Sequence, residues 1–249
     1  MVGIGLCVAQ ENLLSPNDSS VIVCPLSAKG AQMGIMRTEP YIWTTWLTKL
    51  LVGEEFCEWG AWFKTHHQSY NKVPDSFDRT AWQMEHTALL TDILGGLESQ
   101  QYAIFLERQN YFTARGKQSG ITIGGQPDLI ATKGSYGLIC DAKTGQPRPS
   151  DHIQVMIYMW AIPYALRQYS AMSFDGKVIY RDHEIEILNS AINEPFINNL
   201  AKLIQRLGSA DPSRKVPSAI ECRFCQIANS ECPERIEYGG EQEKPAIDL

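Results

Sequence analysis

No apolar run in this 249-residue chain approaches the roughly 18 residues that a membrane-spanning helix requires. The opening stretch MVGIGLCVAQENLL lacks the basic flank and clear cleavage site of a signal peptide, so a cytoplasmic protein with no membrane partner is expected. Positive charge is also in short supply. Lys and Arg number 22 against 28 Asp and Glu, a formal net charge of -6, which argues against holding nucleic acid by bulk attraction, although a local groove can be positive while the total is negative. Internal repeats and a readable partner-docking signature are lacking too. With 44% hydrophobic and 20% charged residues, the chain suits one globular domain with a small appendage and no large disordered fraction.

Cysteine is present seven times, and in a chain without export signals this points to ligands or buried thiols more than to disulfides. Cys7, Cys24, Cys57 and Cys140 are scattered, whereas Cys222, Cys225 and Cys232 form CRFCQIANSEC, a C-x2-C-x6-C pattern. Three thiolates are one short of the four that tetrahedral zinc or a cubane cluster takes. A fourth must come from elsewhere in the chain.

Residues 1–37 show little periodicity and are expected to be a poorly ordered extension; residues 38–236 form the main domain, and 237–249 an acidic tail. YIWTTWLTKLLVGEEFCEWGAWFKTHHQSY predicts helical stretches around Gly53. In SFDRTAWQMEHTALLTDILGGLE, Trp82, His86, Leu89, Leu90, Ile93 and Leu97 share a helical face, with Asp78 as N-cap and Gly95-Gly96 near the exit; His86 should therefore face inward. QYAIFLERQNYFTA, ITIGGQPDLIAT and YGLICDAKTG predict a three-stranded meander. A helix capped by Ser150 and kinked at Pro163 follows, then a hairpin bending at Asp175-Gly176, then a last helix over NEPFINNLAKLIQRLG.

Within YGLICDAKTG, a run fit for a buried strand ends in Asp141 and Lys143, which point to the same face. The plainest reading is an ion pair at a solvated strand tip, worth less than about 1 kcal/mol. The neighbouring strand changes that reading, because Asp128 of GQPD converges with Asp141 across an antiparallel ladder. Two carboxylates repel unless a cation lies between them, and oxygen ligands suit Mg2+ or Mn2+. Lys143 at the rim would orient water or stabilise charge growing on a phosphate. Gly124-Gly125 permits a bulge or the close approach of a substrate backbone. Metal-assisted hydrolysis of a phosphodiester is the chemistry these residues suggest.

GQPD, DAK and then QVMIY, with Gln154 and Tyr158 one helical turn apart, together resemble the motif series of the PD-(D/E)XK nucleases in their RecB-like branch. The resemblance implies a restriction-endonuclease-like α/β core, a central mixed β-sheet flanked by helices. It implies that Asp128 and Asp141 bind metal with help from the Ala142 carbonyl, that Lys143 is catalytic, and that Gln154 and Tyr158 line the site. It also makes His86 a candidate metal ligand, where an inward histidine is otherwise a core residue. The CRISPR-associated four-cysteine exonucleases of this branch join one early cysteine to three late ones around a 4Fe-4S cluster. By that likeness Cys57 would join Cys222, Cys225 and Cys232, with Zn2+ as the rival occupant, and clasp the N- and C-terminal parts of the domain. The implied function is a DNA exonuclease acting on DNA with single-stranded ends, alongside CRISPR adaptation or repair proteins. A noncatalytic nucleic-acid-binding module that keeps the fold is the competing reading.

Overall fold

The computed structural model describes residues 34–74 and 77–237. The expected extension therefore lies outside the described residues as far as residue 33, and the acidic tail lies outside them from residue 238. In chain order the elements are β1 (Ile35–Met36), β2 (Tyr41–Trp43), α1 (Thr45–Val52), α2 (Glu58–His66), β3 (His67–Ser69), α3 (Arg79–Ser99), β4 (Ala103–Leu106), β5 (Phe112–Arg115), β6 (Thr122–Gly125), β7 (Leu129–Lys133), β8 (Tyr136–Ala142), α4 (Pro149–Ala165), β9 (Ser173–Ile179), β10 (Glu184–Ile187), α5 (Glu194–Gly208) and α6 (Ala219–Arg223). Among the described residues no helix is long and apolar enough to cross a membrane.

The main sheet has the order β10-β9-β8-β7-β4 and is mixed: β8 and β9 run parallel while the other neighbours are antiparallel. Period-2 alternation sorts its side chains between two helices. Ile130, Ile139, Phe174 and Val178 pack against Val155, Met159 and Ile162 of α4. On the opposite face Leu129, Ala131, Leu138 and Cys140 meet Ile93, Leu94 and Leu97 of α3. Helix α4 is apolar all round because it is buried on both sides: Ile157 joins Ile42, Leu47, Leu200, Leu203 and Leu207, a second core under α1 and α5. Helices therefore flank a central mixed sheet, consistent with a restriction-endonuclease-like fold.

The meander expected from the sequence forms with its antiparallel pairings, but each of its first two strands is broken by a bend. The chain after β4 makes a 3-10 turn at Glu107–Asn110, and the chain after β6 bends at Gln126–Asp128. Both ribbons leave the sheet at the same level, so β4 pairs with β7 in the main sheet while β5 pairs with β6 in a second sheet, β2-β6-β5. The bend is held by Glu107 N, which donates to the Asp128 carbonyl at 2.8 Å, and by Asn110 Nδ2, which donates to the Phe105 and Pro127 carbonyls. The turn residue Glu107 has φ 34°, a left-handed conformation that a non-glycine residue adopts only when its surroundings impose it. Asp128 is thereby placed at the junction of two sheets.

Other expectations are corrected by packing. Ser150 lies inside α4, which starts at Pro149; the N-terminus is capped by Asp151, whose Oδ2 accepts from Arg148 N at 3.1 Å. Pro163 falls in the last turn of α4 and the helix ends two residues later. Asp175-Gly176 is mid-strand in β9, and the hairpin turns over Tyr180–His183, closed by Tyr180 N donating to His183 O. Gly176 is required by contact, since a Cβ there would run into Val155 Cγ1 and Met159 Sδ of α4. Gly95 and Gly96 lie in the last turns of α3, near its exit at Ser99 as expected. Two substitutions should therefore have opposite signs: Gly176→Ala is expected to cost about 1–3 kcal/mol by overpacking, and Gly95→Ala, with nothing within 4 Å of the added methyl, to gain about 0.5–1 kcal/mol of helix stability. Urea melts of the two variants beside the wild type would read both.

Candidate active site and cysteine clasp

The β7–β8 register pairs Leu129 with Cys140, so Asp128 and Asp141 stand opposite one another one step further along. Asp141 ends the α4-facing row of β8 and is 1% exposed. Its Oδ1 accepts from Gln154 Nε2 at 3.1 Å, and its Oδ2 lies 2.6 Å from Lys143 Nζ. That second contact is an ion pair without hydrogen-bond alignment, which leaves Oδ2 buried with no aligned donor. Burial pushes the Asp141 carboxyl up to about 6, against the pull of Lys143 and with a further push from Asp128. Burial opposes the charge on Lys143, but Asp141 and the nearby Asp151 and Asp128 outweigh it and hold the ammonium above the ordinary lysine range.

Gln154 connects the parts. Its Oε1 accepts from Lys143 Nζ at 3.0 Å, while Nε2 faces both Asp141 and the Tyr158 hydroxyl at 3.0 Å. Tyr158, 1% exposed, passes its own proton toward the Gln126 carbonyl at 3.4 Å. Its burial keeps it under the site, not on the solvent side of it. Gly125 makes room for this ring: a Cβ there would lie 2.7 Å from Tyr158 Cε1 and 2.8 Å from Phe112 Cε1, and one on Gly124 would strike the Tyr41 hydroxyl. The glycine pair expected to admit a substrate backbone is thus crowded by the protein's own side chains.

Asp128 Oδ2 accepts from Ala142 N at 2.8 Å and faces His86 Nε2 at 3.1 Å. Ala142 thus contacts Asp128 through its amide. His86 is 6% exposed and reaches the sheet end from α3, whose N-cap is Asp78 as expected, accepting from Ala81 N at 3.0 Å. The bond to Asp128 raises the affinity of His86 for its proton against the effect of burial. The indole of Trp82 stacks on the His86 ring with centroids 4.9 Å apart. Trp82 was expected on the buried face, but the first turns of α3 run past the sheet and leave it 40% exposed. Asp128, Asp141, Lys143, Gln154, Tyr158 and His86 are therefore brought together; the Glu107 amide and the Asn110 side chain hold the bend beside them, and Asp151 adds its charge near Lys143. Their approach depends on the shared bend and on the helix start, for which no short motif exists.

Cys57, Cys222, Cys225 and Cys232 all line one cavity of about 120 Å³, with Lys64, Lys215 and Arg235 also at its wall. All four are free thiols, and so is Cys140, which lies buried in β8 with its pKa pushed up to about 12 by burial. Val216 N donates to Cys57 Sγ and Ile236 N to Cys222 Sγ, each at 3.4 Å. The cysteine-rich end is fixed to the N-terminal part by backbone and carboxylate bonds. Glu221 accepts from the amides of Phe56 and Cys57, Val73 N donates to Gln226 O, and Asn71 N donates to Glu231. Trp59, Phe63 and Ile227 fill the space beside it. Among the described residues no three His, Cys, Asp or Glu side chains are grouped to grip a single ion. At the sheet end the reason is visible: Asp141 is paired with Lys143 and Asp128 with His86.

A family model described as the PD-(D/E)XK nuclease superfamily matches residues 58–233, which span both motif acids and the three late cysteines. The chain belongs to that superfamily, which makes it a nuclease-family hydrolase of phosphodiester bonds with nucleic acid as its substrate. Among curated proteins none matches. A solved structure, "Crystal structure of SSO0001", is similar at 18% identity and TM-score 0.43, covering 81% of this chain and 90% of that one.

Proposed function

We propose that this protein is a Mg2+- or Mn2+-dependent deoxyribonuclease that trims DNA ends as an exonuclease. The observation that carries the reading is the connected set Asp128, Asp141, Lys143 and Gln154, in which a buried carboxylate oxygen has no aligned donor and a second acid stands opposite. Carboxylate oxygens suit a hard cation, which would take the place that Lys143 holds beside Asp141 Oδ2, and His86 and the Ala142 carbonyl complete the proposed ligand set. Bound there, such a cation would neutralise the two acids and supply a water of lowered pKa. Lys143, held by Gln154, would direct its ammonium at the phosphate and stabilise the charge that develops on it. Tyr158 would support Gln154 from below; its burial gives it no contact with DNA.

The four cysteines are the proposed ligands of a 4Fe-4S cluster. All four line one cavity of about 120 Å³. The two N–H···S bonds suit thiolate ligands of either occupant, and the cluster is preferred to zinc on the one-plus-three cysteine pattern. A role in CRISPR adaptation or DNA repair rests on the one-plus-three cysteine pattern. Oligonucleotides end-labelled and blocked at each terminus in turn test the activity. We expect a ladder growing from one end, dependent on Mg2+ or Mn2+ and lost in Asp141→Ala; cutting that survives without divalent ions, or in that variant, would overturn the reading.

A further inference from the structure

Lys143 Nζ stands 2.6 Å from Asp141 Oδ2, in the place that the proposed divalent cation would take, and donates to Gln154 Oε1 at 3.0 Å. Two cations repel too strongly to share one buried carboxylate oxygen, so the ammonium must give up that contact when the ion enters. It cannot go far. The Lys143 amide is fixed at the sheet end, where it donates to Ile179 O at 2.8 Å, and burial opposes an ammonium that has lost its counter-charge. A second acceptor is needed within reach of the side chain.

Helix α4 supplies one. Asp151 lies three residues before Gln154, on the same helical face and one turn nearer the N-terminus. Its carboxylate is anchored at one oxygen: Oδ2 accepts from Arg148 N at 3.1 Å and from the hydroxyl of the buried Tyr180 at 2.9 Å. Among the described residues Oδ1 accepts no hydrogen bond and Asp151 has no ion pair. Its charge already acts on both Lys143 and Asp141. Asp128 is not open in this way, since its Oδ2 accepts from Ala142 N and faces His86.

We infer that Asp151 is a positioning residue for Lys143: as a divalent cation takes the place beside Asp141, the Lys143 ammonium keeps Gln154 and passes from Asp141 Oδ2 to Asp151 Oδ1. The inference rests on the nuclease reading and names how the site exchanges its own cation for the metal. Before the exchange the Asp151 charge has no cation of its own. After it, the metal faces Asp128 and Asp141 while the ammonium faces Asp151, so each carboxylate has a positive partner. The ammonium stays charged throughout and no covalent bond changes. Tyr180 and the Arg148 amide hold the acceptor still, and Gln154 keeps the lysine beside it.

The test is a double-mutant cycle read by Mn2+ binding, with the free ion followed by electron paramagnetic resonance and no DNA present. Its four proteins are the wild type, Asp151→Asn, Lys143→Met and the double variant, with Asp141→Ala to mark which binding belongs to the site. Asparagine keeps an oxygen for Arg148 N and the Tyr180 hydroxyl, and circular dichroism would verify folding. Asp151→Asn is expected to weaken Mn2+ binding about tenfold, equivalent to about 1.4 kcal/mol, when Lys143 is present, and to change it little beside Lys143→Met, where no ammonium needs a new partner. Lys143→Met itself should bind Mn2+ at least as tightly as the wild type, and Asp151→Glu, which keeps the carboxylate, should recover most of the loss. An equal loss from Asp151→Asn in both backgrounds would be the plain attraction of an acid for a cation and would overturn the inference, as would no loss in either. A wild type that shows the coupled loss yet never cuts labelled DNA with Mn2+ would overturn the nuclease reading alone. Cutting that depends on Asp141 without the coupled loss would overturn the exchange alone, and Mn2+ binding that Asp141→Ala leaves unchanged would overturn both.

Discussion

Lys143→Met is expected to lower metal-dependent DNA cleavage by about a thousandfold, the scale for loss of one well-placed electrostatic group in a water-poor site. DNA binding should be retained, because the substitution removes a single charge. The same variant should carry a pH-dependent loss of stability. Asp141 is buried and its carboxyl sits at about 6 in the folded protein against 3.8 as an ordinary group. A carboxyl raised by folding contributes stability in its protonated form; that contribution is complete below about pH 4 and is lost as pH rises through about 6. Lys143 compensates the charge that appears above this window. Without the ammonium the Asp141 charge has only Gln154 beside it, and breaking such a buried pair costs about 3 kcal/mol. Urea melts of the metal-free proteins should therefore show a small deficit at pH 5 and the full deficit at pH 8, with Mg2+ narrowing it. A uniform deficit at both values would mean that Asp141 does not carry the charge.

Cys57→Ser is expected to have the largest effect on stability. In the proposed clasp Cys57 and the late cysteines would close a loop of more than a hundred residues, and crosslinks of that length restrict the unfolded chain by about 5 kcal/mol. A domain of this size has about 5–15 kcal/mol in total, so most of the margin should disappear. Some attachment would survive, because Glu221 still accepts from the Phe56 and Cys57 amides and the Trp59, Phe63 and Ile227 packing remains. An anaerobic preparation of the wild type should be brown, and the variant should lose both the colour and many degrees of melting temperature. A variant with the chromophore intact would remove Cys57 from the ligand set; a colourless wild type containing zinc would replace the cluster with the rival ion.

Residues close in sequence were the legible part of this protein. DAK puts two charges on one face because strand side chains alternate, and QVMIY puts Gln154 and Tyr158 one above the other because a helix turns every 3.6 residues. The Asp78 cap, the inward His86 and helix α5, with Asn193 Oδ1 accepting from Phe196 N, follow from the same short-range rules. The antiparallel approach of Asp128 to Asp141 could be read because only a short turn separates their strands.

What escaped that reading involves partners distant along the chain. The common bend of two ribbons, which splits the expected meander between two sheets and twists Glu107 into a left-handed conformation, arises because β6 pairs with β2 and carries β5 with it. Gly176 looked like a turn residue and is a strand residue because α4 lies on it. Trp82 looked like core and is half in solvent because the sheet ends before α3 begins. Alternation and helical period are local properties of a covalent chain, and so the sequence alone determined which residues share a strand or helix face. Which of them touch depends on long-range packing that no local pattern encodes, and the tertiary structure alone set the Lys143–Gln154–Asp141 contacts and the four-cysteine cavity.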